Sequence, residues 1–189
     1  MVKMVILVEE KRTVRENTCC FLGHRKIEVT DELRRSLRNG IEKLITKENT
    51  STFLFGSKSQ FGSLCYQITT ELKAHYPQIK RVYVRAEFPD VSDDYEAYLL
   101  QNYEETYFPP NMIKAGKAAY VERNCEMIDK SKFCIMYFDK NYMPTTKTQA
   151  KNELNNYKRK SGTKIAYEYA LKKQKIVINI FEEKNSKGI

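Results

Sequence analysis

Short, uninterrupted apolar runs alternate along this chain with longer segments in which apolar residues return every three or four positions. No other feature of the sequence limits the fold as strongly. The runs are "NTCCFLG", "STFLFG", "IKRVYVRAEF", "KFCIMYFD" and "KIVINIF". Between them lie "VTDELRRSLRNGIEKLIT", "SLCYQITTELKAHYP", "KAAYVERNCEMIDKS" and "GTKIAYEYALKKQ". A strand that is apolar on both faces must be covered on both sides, and parallel neighbours need a crossover, usually helical. The pattern therefore predicts an α/β fold of the Rossmann-like kind, a mainly parallel sheet with helices on both faces. The first helix is expected to bury Leu33, Leu37, Ile41, Leu44 and Ile45 behind a Thr30/Asp31 cap. The second buries Leu64, Ile68 and Leu72 before Pro77 stops it. In the third, Ala119, Val121, Cys125 and Ile128 are placed inward, and in the fourth Ile165, Ala166, Tyr169 and Ala170.

With 189 residues the chain fits one domain, 1–189, with its core at about 18–180. Two segments interrupt the alternation. Residues 87–111 are too long for an ordinary connection and are read as a helix-bearing insertion and lid, and 140–160 as a polar, basic loop. The N-terminal "VKMVILV" reads as an extra edge strand or a docked tail. The longest apolar runs fall far short of the roughly 20 residues of a membrane span, and the N-terminus lacks a small-residue cleavage site. The expected location is the cytoplasm, with no membrane partner. Five cysteines, two of them adjacent, indicate reduced thiols, not a disulfide framework.

The net charge of +9 is unevenly spread. Residues 86–113 hold seven acids and no Lys or Arg, whereas residues 140–189 hold twelve bases against four acids. Such asymmetry fits either a basic face for a nucleotide or nucleic acid or a solvated surface.

Parallel sheets bind ligands outside the carboxyl ends of their strands. The first strand delivers Gly23, His24 and Arg25 there. The second delivers Gly56, Ser57, Lys58 and Ser59 at a helix entrance, the fourth ends at Asp139, and Ser161, Gly162 and Thr163 open the last helix. Glycine and serine at helix N-termini leave backbone N–H groups for an anion, although Ser-Gly-Thr is equally a good cap. "FGSKSQFG" is neither a Walker A motif nor a dinucleotide fingerprint. Cys19 and Cys20, one facing each layer, are read as buried thiols, and two distant histidines do not make a zinc site. No metal and no cofactor is expected. Arg123 lies near the edge of its helix's apolar stripe, from where a guanidinium can reach the ligand end of the sheet.

"CCFLGHR", "FLFGSKSQFG", "YVERNCEMIDKSKFCIMYFD" and "SGTKIAYEYALKKQKIVINI", in that order, resemble the YpsA-type branch of the SLOG superfamily. That superfamily joins the Lonely Guy nucleoside-monophosphate phosphoribohydrolases with the DNA-processing protein A family. The resemblance implies strand ends that bind a nucleotide or a nucleotide-derived ligand such as an ADP-ribose, with a homodimer as a further expectation. Lonely Guy hydrolases carry Pro-Gly-Gly-x-Gly-Thr-x-x-Glu and an arginine on the preceding helix, which Arg123 resembles. Here Ala166 stands where the glutamate would fall, and "RKS" replaces the Pro-Gly-Gly portion. The leading expectation is thus a binding protein acting as sensor or sequestering module. An N-glycoside hydrolase using Glu168 or Asp139, and a single-stranded nucleic-acid binder using the basic region and tyrosines, are the alternatives.

Overall fold

The computed structural model describes residues 16–56, 59–86, 89–110, 112–113, 116–142 and 160–182. The "VKMVILV" segment, Ser57, Lys58 and most of the basic loop lie outside them.

Within the described residues six strands form one parallel sheet: β1 Thr18–Gly23, β2 Thr52–Phe55, β3 Lys80–Val84, β4 Glu105–Tyr107, β5 Phe133–Tyr137 and β6 Ile176–Asn179. Their spatial order is β4-β3-β2-β1-β5-β6. Five helices alternate with them: α1 Asp31–Lys47, α2 Gln60–Lys73, α3 Asp93–Asn102, α4 Lys117–Asp129 and α5 Gly162–Lys172. The chain steps from β1 outward through β2 and β3 to β4, then returns to the other side of β1 for β5 and β6. The strand order therefore reverses at β1, where such sheets open a crevice at their carboxyl edge. The registers Cys20↔Leu54 and Cys20↔Cys134 place β1 centrally, in line with its full burial.

The period of two along each strand divides the core. Cys19, Phe21, Phe53, Phe55, Tyr83, Phe133 and Ile135 pack with the apolar stripes of α1 and α2. Cys20, Leu22, Leu54, Val82, Val84, Cys134 and Met136 face Met127 and Ile128 of α4 and the small Ala166 and Ala170 of α5. The α1 stripe buries the five residues its spacing predicts, and the side chain of Thr30 accepts the N–H of Leu33 as its cap. In α2 Leu64, Ile68 and Leu72 are joined by Phe61 and Cys65.

The α4 expectation is corrected. Val121 and Cys125 are only half-buried, and the inward line runs through Ala119, Arg123, Met127 and Ile128. Ala119, Arg123 and Met127 are i, i+4 and i+8 neighbours on one face, with Ile128 beside them, so Arg123 stands in the middle of the buried stripe, not at its edge. The insertion supplies α3, as expected, and also the short edge strand β4, which has only three residues to signal it. No helix among the described residues is long and apolar enough to cross a membrane.

Candidate functional site

The carboxyl ends of the strands, together with the N-termini of α2 and α5, make one edge of the molecule. At the switch point the loop after β1 closes against β5. The His24 N–H donates to the Tyr137 carbonyl (3.3 Å), and His24 Nε2 accepts the backbone N–H of Asp139 (2.9 Å). An accepting Nε2 carries no proton, so the proton of the neutral imidazole sits on Nδ1. That atom is buried and has no partner among the described residues. His24 is 1% exposed, its ring stacked on Tyr142 with centroids 3.8 Å apart. Burial holds its pKa below the ordinary value, against a weaker upward pull from Asp139. Asp139 itself turns its Oδ1 onto the N–H of Asn141 (2.8 Å).

Arg25 is exposed, and its carbonyl accepts the N–H of Gln60 (2.9 Å), whose side chain in turn accepts the N–H of Ile27 (2.8 Å). The β1 loop is thereby bolted to the entrance of α2. Gly23 has a packing role. A Cβ there would meet the Phe61 ring at 2.4 Å, so the glycine lets α2 sit close on the end of β1. Ser59 caps α2 by accepting the Gly62 N–H (2.9 Å), and Ser161 caps α5 by accepting the Lys164 N–H (3.1 Å). Both helices begin at the carboxyl edge, α2 over one face and α5 over the other. Gly162 is exposed and Thr163 half-buried at that second entrance.

Arg123 reaches the same edge from beneath. Its Nη1 donates to the carbonyls of Gly56, just past the end of β2, and, at 3.4 Å, of Val84, the last residue of β3. Nε donates to Asn124 (3.1 Å), and the guanidinium lies 5.7 Å from the Tyr120 ring. A Cβ on Gly56 would stand 2.7 Å from the guanidinium carbon, so this glycine is the slot into which Arg123 fits. With 2% exposure the arginine is part of the core.

Two residues at this edge escaped the sequence reading. Arg85 follows Val84 at the end of β3, donates its backbone N–H to the Tyr107 carbonyl (2.8 Å), and has Nε and Nη1 buried without partners among the described residues. An arginine one step past an apolar strand was the available signal, but "VYVRAEF" reads as continuous strand. Asn179 ends β6 and exchanges two hydrogen bonds with the Phe138 backbone (3.0 and 3.1 Å), tying the tips of β5 and β6 together.

Ala166, where the motif resemblance would place a glutamate, is 2% exposed and packed in the core on that face of the sheet. Glu168 points outward to Lys160 (2.7 Å), which holds its carboxyl below the usual range. Neither presents a carboxyl group to the switch point.

No family model matches the chain, and no curated protein does. Among solved structures it is similar to DNA processing protein A from Helicobacter pylori, described for its single-stranded DNA binding mode. The TM-score is 0.52 at 13% identity, over 92% of this chain and 74% of that one. The likeness is one of fold. It adds a second line of support for the Rossmann-like arrangement that the strand order displays.

Proposed function

We propose that this chain binds a phosphate-bearing, nucleotide-type ligand at the carboxyl edge beside β1 and does not cleave it, acting as a sensor or sequestering module. The observation that carries the reading is two residues at that edge with buried N–H groups that have no partner among the described residues, His24 at Nδ1 and the half-buried Arg85 at Nε and Nη1. Buried N–H groups are normally satisfied, and one left open costs about 1–3 kcal/mol, so two on one sheet edge call for an acceptor. β1 and β3 are two strand spacings apart, about 10 Å, a span suited to a ligand with several oxygens. The caps of α2 and α5 add N–H groups that favour anions. The motif resemblance to the YpsA-type branch agrees with such a ligand. Buried Ala166 and ion-paired Glu168 support binding without hydrolysis, because no general acid stands at the glycosidic position of the Lonely Guy pattern.

The test begins with mass spectrometry of small molecules released from the purified protein on denaturation, followed by calorimetric titration of AMP and ADP-ribose. Saturable binding that weakens about tenfold or more in His24→Phe and Arg85→Gln is expected, since each removes a hydrogen bond to an anionic acceptor. Absence of any nucleotide and of saturable binding up to about 1 mM overturns the proposal. Base release from AMP on the order of 1 per second or faster overturns its non-hydrolytic part.

The net charge of +9 and the ssDNA-binding structural neighbour favour a second reading, single-stranded nucleic-acid binding. An oligonucleotide titration at two salt concentrations separates the two, because a strand contacting several phosphates loses affinity steeply with salt.

A further inference from the structure

Away from β1, an aromatic cleft of about 440 Å³ opens between α2, α3 and the ends of β2 and β3. Phe55, Tyr66, Tyr83, Tyr95, Tyr98 and Tyr103 line it. Its inner wall is fixed by ring packing: Tyr66 and Tyr103 lie 5.0 Å apart, Tyr83 and Tyr103 5.2 Å, and Phe55 meets Tyr66 nearly edge-on at 80°. Tyr66 is further held by its hydroxyl on the Asn102 carbonyl (2.9 Å). The outer wall is the stacked pair Tyr95 and Tyr98 on α3, with Tyr98 60% exposed.

Six aromatic rings in one pocket fit either a flat apolar ring or an organic cation, and the charge around the pocket decides between them. The first turn of α3, which carries Tyr95, holds Asp93, Asp94 and Glu96. The whole stretch 89–110 contains no Lys or Arg. The Arg81 guanidinium, 5.3 Å from the Tyr66 ring, is clamped by both oxygens of Glu104 (2.7 and 3.2 Å). A phosphate would meet repulsion from the acidic first turn of α3, whereas a cation is drawn toward it and held by the negative faces of the rings. Burial and neighbouring tyrosines raise the Tyr103 pKa, so the ring stays a neutral phenol. The volume lies within the range of small-ligand sites.

We propose that this cleft is a binding site for a small alkylated ammonium ion, with Tyr98 and Tyr95 as the face that closes on it. The proposal is independent of the carboxyl-edge reading, and its test uses different probes. Choline chloride is titrated into the full chain by NMR, with 3,3-dimethyl-1-butanol as its uncharged isostere. Choline should saturate in the millimolar range or tighter, with the alcohol about tenfold weaker. Tyr98→Phe should retain the affinity and Tyr98→Leu, which keeps apolar bulk but removes the ring, should lose about fivefold or more. Because Tyr98 is largely exposed, both variants should melt as the parent does. AMP should leave choline binding unchanged. No saturation by about 10 mM choline, equal affinity for the alcohol, full affinity in Tyr98→Leu, or competition by AMP would each overturn the assignment.

Discussion

Replacing Arg123 with lysine should destabilise the protein measurably even without any ligand. In the parent one guanidinium nitrogen serves the buried Gly56 and Val84 carbonyls while Nε holds the half-buried Asn124. Lysine keeps the charge but replaces a planar fork with a compact ammonium, so at least one charge-assisted hydrogen bond is lost. Each such bond contributes about 1.5–3 kcal/mol. For a domain of this size 1 kcal/mol moves the melting temperature by about 2–4 °C, so Arg123→Lys should melt about 3–12 °C lower. Arg123→Met leaves strand-end carbonyls buried and unserved and should cost about 3–5 kcal/mol. Thermal and urea unfolding followed by far-ultraviolet circular dichroism measure both. Gly56→Ala supplies an internal check, since its Cβ would press on the guanidinium at 2.7 Å. Its cost should shrink in the Arg123→Met background, the non-additivity expected of touching groups. If Arg123→Lys melts within about 1 °C of the parent, the arginine is not a strut; unchanged melting with lost AMP or ADP-ribose affinity would instead make it a ligand residue.

Three further outcomes follow from the same geometry. His24 has a depressed pKa, so the native state resists protonation; stability is complete above the unfolded value of about 6.5 and declines as pH falls from there toward the native value. His24→Phe should flatten that part of the pH–stability curve, and a parent-like slope in the variant would contradict the assignment. Burial raises the Glu104 carboxyl, but hydrogen bonds from the Arg81 side chain and backbone outweigh this, and its pKa falls. Its contribution is therefore present above about 4.3 and lost as pH drops through the lower native value, and Glu104→Gln should cost about 2–3 kcal/mol at pH 7 in urea unfolding by leaving Arg81 short of its counter-charge. Ala166→Glu introduces a carboxylate where the motif resemblance would place one, inside the core cluster that holds Cys20, Leu22 and Met136; it should lower stability by several kcal/mol and release no base from AMP, measurable by melting and chromatography.

The sheet and its helices were legible because burial on two faces dictates composition: Cys19 to Leu22 and Phe133 to Tyr137 have no polar side to show. The α1 stripe was equally plain, since a helix on a sheet must repeat its apolar residues at i, i+4 and i+8. The same rule misled in α4. Arg123 occupies the i+4 position between Ala119 and Met127, but a charged residue does not register as core, and the half-buried Val121 and Cys125 took its place in the reading. Only the tertiary structure brings the Gly56 and Val84 carbonyls, 67 and 39 residues away in sequence, to that guanidinium and makes its burial affordable. His24 was legible as a strand-end residue, yet its open Nδ1 follows from Asp139 taking the other nitrogen, a contact across 115 positions. The acidic insertion was legible as a segment apart, but that its tyrosines join those of α2 and β3 in a cleft was not. Sequence periodicity reports which side of an element meets a core, whereas a site depends on which carbonyls, rings and charges of distant elements converge, and that is settled only when the strand order reverses at β1.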